Sequence, residues 1–221
     1  MKKYLLLSSV ILLLAFCNHQ KKKVIFFGDS ITEQAVNPGG FITKMDSIVK
    51  KDKLSENYEL VGAGVSSNKV YDLYLRLDED VLDKDPDIVV IFIGVNDVWH
   101  KKILGTGTDA DKFERFYSAI IKKLTEKNIK VILCTPATIG ERIDFTNELD
   151  GDLNKYCNII HKIAEKNNLP LIDLRKIFQE YDLTNNVNNK DRGILTIDGV
   201  HFNNKGNEIA AIEMWKVISK L

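Results

Sequence analysis

The feature that most constrains this 221-residue chain is an alternation. Short apolar, β-branched runs at 24–27, 58–61, 88–93, 130–134 and 170–174 are each separated from the next by a stretch with helical periodicity. Runs of that kind suit parallel strands buried on both faces, and the stretches between them suit crossover helices. The spacing predicts helices over 41–51, 68–82, 109–127, 152–166 and 204–220; Ile209, Ile212, Trp215 and Ile218 illustrate the apolar stripe in the last. Asp85-Pro86 and the 167–170 segment, Asn-Asn-Leu-Pro, stop helices ahead of strands. The expected fold is a three-layer α/β/α sandwich with five parallel strands, in which ligands gather beyond the carboxyl ends of the strands.

The N-terminus follows a different plan. Lys2 and Lys3 precede an apolar stretch over 4–16, then Cys17 and a polar linker over 17–23 that ends in three lysines. This is the layout of an export signal, and it is shorter than the ~20 residues a spanning helix needs. Leu14-Ala15-Phe16-Cys17 resembles the bacterial lipoprotein signal, in which the cysteine becomes lipidated; Phe16 departs from it, since Gly or Ala is usual there. The alternatives are a secretory signal cut elsewhere and an uncleaved anchor. A lipidated Cys17 would hold the protein on a membrane face. Removal of residues 1–16 leaves a domain over 24–221, and 29 basic against 31 acidic residues. Such balance argues against a nucleic-acid partner and for an uncharged substrate. Cys134 and Cys157 then remain, with no second Cys or His at zinc-ligand spacing. They are expected to be small buried hydrophobes.

Each strand end carries a residue with two readings. After the first, Gly28-Asp29-Ser30 suits a sharp strand-to-helix turn that presents a serine hydroxyl, with Gly28 supplying a positive φ. The same serine could cap a helix, Glu33 completing a capping box. After the second, Gly62 and Gly64 faintly match a dinucleotide fingerprint in which Ser67 replaces the third glycine; Gly64 could instead expose a backbone N–H. After the third, Asn96 and Asp97 could cap a turn, or Asn96 could aim its amide at a developing oxyanion. Trp99 and His100 could line a pocket or cover the helix below, and Asp29 is a further candidate for a substrate contact. Near the C-terminus Asp198 and His201, three apart, could form a carboxylate–imidazole dyad or a surface turn. Nucleophile, oxyanion donors and base dyad all fall on one predicted edge, which is what acyl transfer requires.

Phe-Gly-Asp-Ser-Ile-Thr around Ser30, Gly-Ala-Gly-Val-Ser around Gly64, Gly-Val-Asn-Asp around Asn96 and Asp-Gly-Val-His over 198–201 resemble, in order, the blocks of the SGNH hydrolases, also called GDSL esterases and lipases. The resemblance runs from Val24 to the end. It implies a flavodoxin-like sandwich with no metal or organic cofactor. Ser30 would be the nucleophile, His201 the base and Asp198 its orienting carboxylate. The oxyanion hole would be the Ser30 and Gly64 N–H groups with the Asn96 amide. Ser67 departs from the family, where a second glycine is common, and would alter loop shape without removing a catalytic group.

Short-acyl or carbohydrate-acetyl esters are the expected substrates, with lysophospholipid or thioester cleavage as the alternative. The 99–108 and 135–149 segments are expected as loops framing the pocket. Two rivals from other classes are a metal-dependent phosphoesterase, for which paired histidine ligands are lacking, and a non-catalytic surface module that binds a glycan or lipid.

Overall fold

The computed structural model describes residues 20–221; the signal over 1–16 and Cys17 lie outside the described residues. Five parallel strands form one sheet in the order β2-β1-β3-β4-β5, with β1 at Lys22–Gly28, β2 at Tyr58–Gly64, β3 at Ile88–Phe92, β4 at Lys130–Cys134 and β5 at Leu171–Ile172. This is the doubly wound order, whose reversal falls between β1 and β3. The register sets Val24 against Ile88 and Gly28 against both Gly64 and Phe92. Lys22 and Lys23, expected in the tether, belong to β1: Lys22 pairs with Tyr58 and Lys23 with Glu59.

Alternate strand residues feed two cores, as the pleat demands. Val24, Phe26, Ile88 and Val90 pack under α2 (Phe41–Lys51) and α9 (Asn204–Ile218). Ile25, Phe27, Val89 and Ile91 pack under α3 (Val70–Leu75), α6 (Ala110–Glu126) and α7 (Asp150–Asn167). Cys134 and Cys157 are free thiols, both buried.

Several boundaries differ from expectation. The helix expected over 68–82 breaks at Arg76 into α3 and α4 (Leu77–Asp80), followed by a 3₁₀ turn. Gly62 and Gly64 lie within β2 rather than behind it. The helix that the Gly28-Asp29-Ser30 turn was expected to enter is the short α1 (Ser30–Gln34), whereas α5 (Val95–Leu104) and α8 (Leu174–Asn185) were not anticipated. Both α1 and α5 start at the strand ends that carry Ser30 and Asn96.

Candidate active site

β1 ends at Gly28, and the chain enters α1 within two residues. Gly28 is not in the left-handed region that a sharp turn was expected to need. It is required by contact: an added Cβ would collide with Thr32 Oγ1 and the Phe92 carbonyl oxygen. Asp29 is 2% exposed and its Oδ1 accepts the Ile31 N–H at 3.0 Å, so it caps α1 and does not face a substrate. With the cap supplied by Asp29, the Ser30 hydroxyl is released from capping duty. Glu33 completes no capping box; its carboxylate accepts the Ser66 hydroxyl.

Ser30 Oγ lies 2.9 Å from His201 Nε2, across 171 residues of sequence. His201 Nδ1 lies 2.7 Å from Asp198 Oδ2. The other Asp198 oxygen accepts the backbone N–H groups of Val200 (3.0 Å) and His201 (2.8 Å), closing a tight turn whose Gly199 takes φ +95°. Partial burial pushes the Asp198 carboxyl up. The hydrogen bonds from the His201 side chain and from the two amides outweigh that push and hold it below its usual range. The carboxylate is thus ionised where it meets the imidazole, which fixes the tautomer that leaves Nε2 toward Ser30.

Gly64 closes β2 beside α1. A Cβ there would collide with the Glu33 backbone nitrogen, so only glycine lets the helix start lie against this strand end. Asn96, 1% exposed, stands in the first turn of α5. One of its amide hydrogens goes to the Asn68 carbonyl at 3.1 Å, which orients the side chain and leaves the second hydrogen uncommitted. Trp99 is half-buried, with its ring 6.4 Å from that of His201 in a T-shaped arrangement. It forms a wall of the site as well as covering the core beneath.

Two side chains that the sequence did not single out, the half-buried Arg76 and the buried Glu141, hold these parts in place. Arg76 reaches under the site: its Nη2 donates to the Gly28 carbonyl (2.7 Å) and the Ala63 carbonyl (3.0 Å), and its Nε to Asn68 Oδ1 (2.6 Å). It therefore ties the ends of β1 and β2 to the loop that also receives Asn96. Glu141, 1% exposed, accepts three consecutive backbone N–H groups, those of Ile194 and Leu195 at 2.8 Å and Thr196 at 2.6 Å. That segment leads into the Asp198–His201 turn, and the Gly140 N–H bonds the Gly199 carbonyl at 2.8 Å. The 135–149 segment is thus the support of the dyad. The 99–108 segment, expected as a loop, begins inside α5. Glu141 has no local sequence signal, because its partners lie about 54 residues away. Arg76 pairs locally with Asp80 and Asn68, but its bond to the Gly28 carbonyl, 48 residues away, leaves no such signal.

Asp97 accepts the Val70 N–H at 3.2 Å through Oδ1, while its Oδ2 is buried without a partner. Burial pushes both Asp29 and Asp97 up to about 7. Among the described residues no group of three His, Cys, Asp or Glu side chains could hold a metal ion, and no helix is long and apolar enough to cross a membrane.

Comparison with known proteins places this geometry in context. The model of the GDSL-like lipase/acylhydrolase family matches residues 26–209. The crystal structure of an acetyl xylan esterase, AlAXEase, superposes with a TM-score of 0.88 at 61% identity, covering 89% of this chain and 99% of that one. The acetylxylan esterase of Geobacillus stearothermophilus is 30% identical over 72% of this chain and 78% of its own length. An uncharacterised lipoprotein of Bacillus subtilis is 25% identical over 95% of each chain.

Proposed function

The chain belongs to the GDSL-like lipase/acylhydrolase family and is an ester-cleaving serine hydrolase, and from that premise we propose that it removes acetyl groups from carbohydrate esters by acyl transfer through Ser30. The observation that carries this reading is the continuous line Asp198 Oδ2–His201 Nδ1, 2.7 Å, and His201 Nε2–Ser30 Oγ, 2.9 Å. As Ser30 Oγ attacks the ester carbonyl, His201 Nε2 takes the hydroxyl proton, and the carbonyl π pair moves to oxygen. The oxyanion rests against the Ser30 and Gly64 N–H groups and the uncommitted hydrogen of the Asn96 amide, donors worth about 3 kcal/mol of barrier each. The oxyanion pair then re-forms the carbonyl, the C–O bond to the sugar breaks, and His201 gives its proton to the departing sugar oxygen. Water, deprotonated by the same imidazole, releases acetate and restores Ser30. Asp198 stays ionised throughout and stabilises the imidazolium.

The acetyl-carbohydrate substrate is favoured over lysophospholipids and thioesters because two similar proteins are named for acetylxylan. The expected result is release of acetate from acetylated xylooligosaccharides. On the order of 10⁶ in kcat should be lost in Ser30→Ala and His201→Ala, and less, about 10⁴, in Asp198→Asn. Undiminished hydrolysis by folded Ser30→Ala would defeat the mechanism. A fluorophosphonate probe should label Ser30; failure to label would return the chain to the class of binding modules.

For the location, we infer export and lipidation at Cys17, supported by the Leu14-Ala15-Phe16-Cys17 pattern and by the similarity to a lipoprotein across 95% of the chain. The wild type should partition into a detergent phase and Cys17→Ser into the aqueous phase. An unchanged partition would overturn it.

A further inference from the structure

A second cavity lies on the same edge of the sheet, and neither Ser30 nor His201 lines it. It measures about 220 Å³ and is bounded by the chain beyond β4, the start of α7 and one face of α8. Asp182, 4% exposed, lines it from α8, and its Oδ1 is buried without a hydrogen-bond partner. Arg175 does not relieve that oxygen: its Nη2 is engaged by Asp150 Oδ1 at 2.6 Å and its Nε by Asn154 Oδ1 at 2.8 Å. Burial, reinforced by Glu141, pushes the Asp182 carboxyl up to about 7. At the rim Phe145 is 93% exposed and Leu183 64%. The side chains of Gln179 and Arg142 line the same cavity and make no hydrogen bond or ion pair among the described residues.

We propose that this cavity is a glycosyl subsite, which binds an unesterified sugar ring of the same carbohydrate whose acetyl ester is cleaved at Ser30. The ligand class rests on the reaction proposed above; the existence of a site rests on the cavity. A sugar ring meets every uncommitted group there. Its hydroxyls donate to Asp182 and accept from Gln179 and Arg142, and its C–H face lies on the Phe145 ring. An apolar surface with a few convergent polar groups is the usual make-up of a small-ligand site. Of the three carboxyls in the lining, Asp150 is held by Arg175 and Glu141 by backbone N–H groups, which leaves Asp182 alone and too few oxygens to cage a cation. An acyl chain would leave Asp182 as unpaired as it is now.

The position suits one extended substrate. β4 stands two strands from β1, about 10 Å across the sheet, a span that an oligosaccharide of a few units covers. The wall between the two sites is thin: Gly140, which lines the cavity, bonds the carbonyl of Gly199 inside the Asp198–His201 turn.

The test uses xylotetraose, which carries no ester, titrated into the wild-type enzyme and followed by amide NMR. Saturable shifts at Gln179, Asp182 and Leu183, weakened at least fivefold in Phe145→Ala and in Gln179→Ala, are expected. In turnover, Phe145→Ala should raise KM for acetylated xylotetraose at least fivefold relative to KM for 4-nitrophenyl acetate. Shifts absent from α8, or equal changes for both substrates, would overturn the subsite. Failure of the wild type to deacetylate xylooligosaccharides would instead count against the proposed reaction, while the titration reads the cavity without turnover.

Discussion

Ser67 holds φ +65°, in the left-handed region that side chains with a β-carbon rarely enter. The conformation glycine would adopt freely is kept here by serine, at a cost of about 1 kcal/mol. Its neighbours explain the persistence: the Ser67 carbonyl accepts Lys69 Nζ at 3.2 Å and the next carbonyl, of Asn68, accepts the Asn96 amide. Ser67→Gly should therefore raise the free energy of urea unfolding by about 0.5 kcal/mol, the relieved strain less the added backbone entropy of the unfolded chain. A loss of stability would show that the loop is not strained. The same scale shows why Asp29 misleads. A buried aspartate just before a serine at a strand end has the composition of a substrate contact, yet its Oδ1 is spent on the Ile31 N–H. Residue type alone does not distinguish a cap from a ligand contact, since both use the same lone pairs.

At the scale of elements, the long amphipathic helices and the strands were legible because each carries a repeating pattern. β4 and α2 match their predicted bounds to the residue. The helix α5 was read as a turn followed by a loop because Gly-Val-Asn-Asp has turn composition. It forms because Gly94, at φ +131°, swings the chain from β3 into the helix, and Gly105, at φ +70°, ends it. The helix α8 did carry a signal, in Leu174, Phe178 and Asp182 at four-residue spacing on its buried face. Glu141 belongs to this scale because it couples the segment after β4 to the segment that bears the dyad. Glu141→Gln keeps the size but sets an NH₂ against a backbone N–H. It should lower kcat about 10- to 100-fold with KM within twofold, since small displacements of a catalytic pair cost that much. Unchanged kcat with a lowered melting temperature would make Glu141 a structural strut only.

For the whole molecule, three carboxyls on different elements, Asp29, Asp97 and Asp182, are pushed up to about 7 by burial. Between their ordinary value near 4 and 7 the folded chain holds more protons than the unfolded one, so stability falls as pH rises through that window and levels above it. Asp198, held low, acts in the opposite sense below its ordinary range. Urea unfolding should give a higher free energy at pH 5 than at pH 8, and Asp97→Asn should shrink that difference; a higher value at pH 8 would contradict the assignment. The sequence by itself determined the class of fold and the ordered positions of Ser30, Gly64, Asn96, Asp198 and His201, because strand burial, helical spacing and strand-end chemistry are local patterns. Only the tertiary structure decided that Gly28 and Gly64 serve close packing, that Asp29 caps a helix, and that Arg76 and Glu141 carry the site. The Asp29 cap is a local contact that a serine at the same turn could equally have made. The packing of Gly28 on Phe92 and of Gly64 on α1, and the bonds of Arg76 to Gly28 and of Glu141 to the 194–196 backbone, instead join segments far apart in the chain, where strand order sets the partner and the neighbouring residues carry no trace of it.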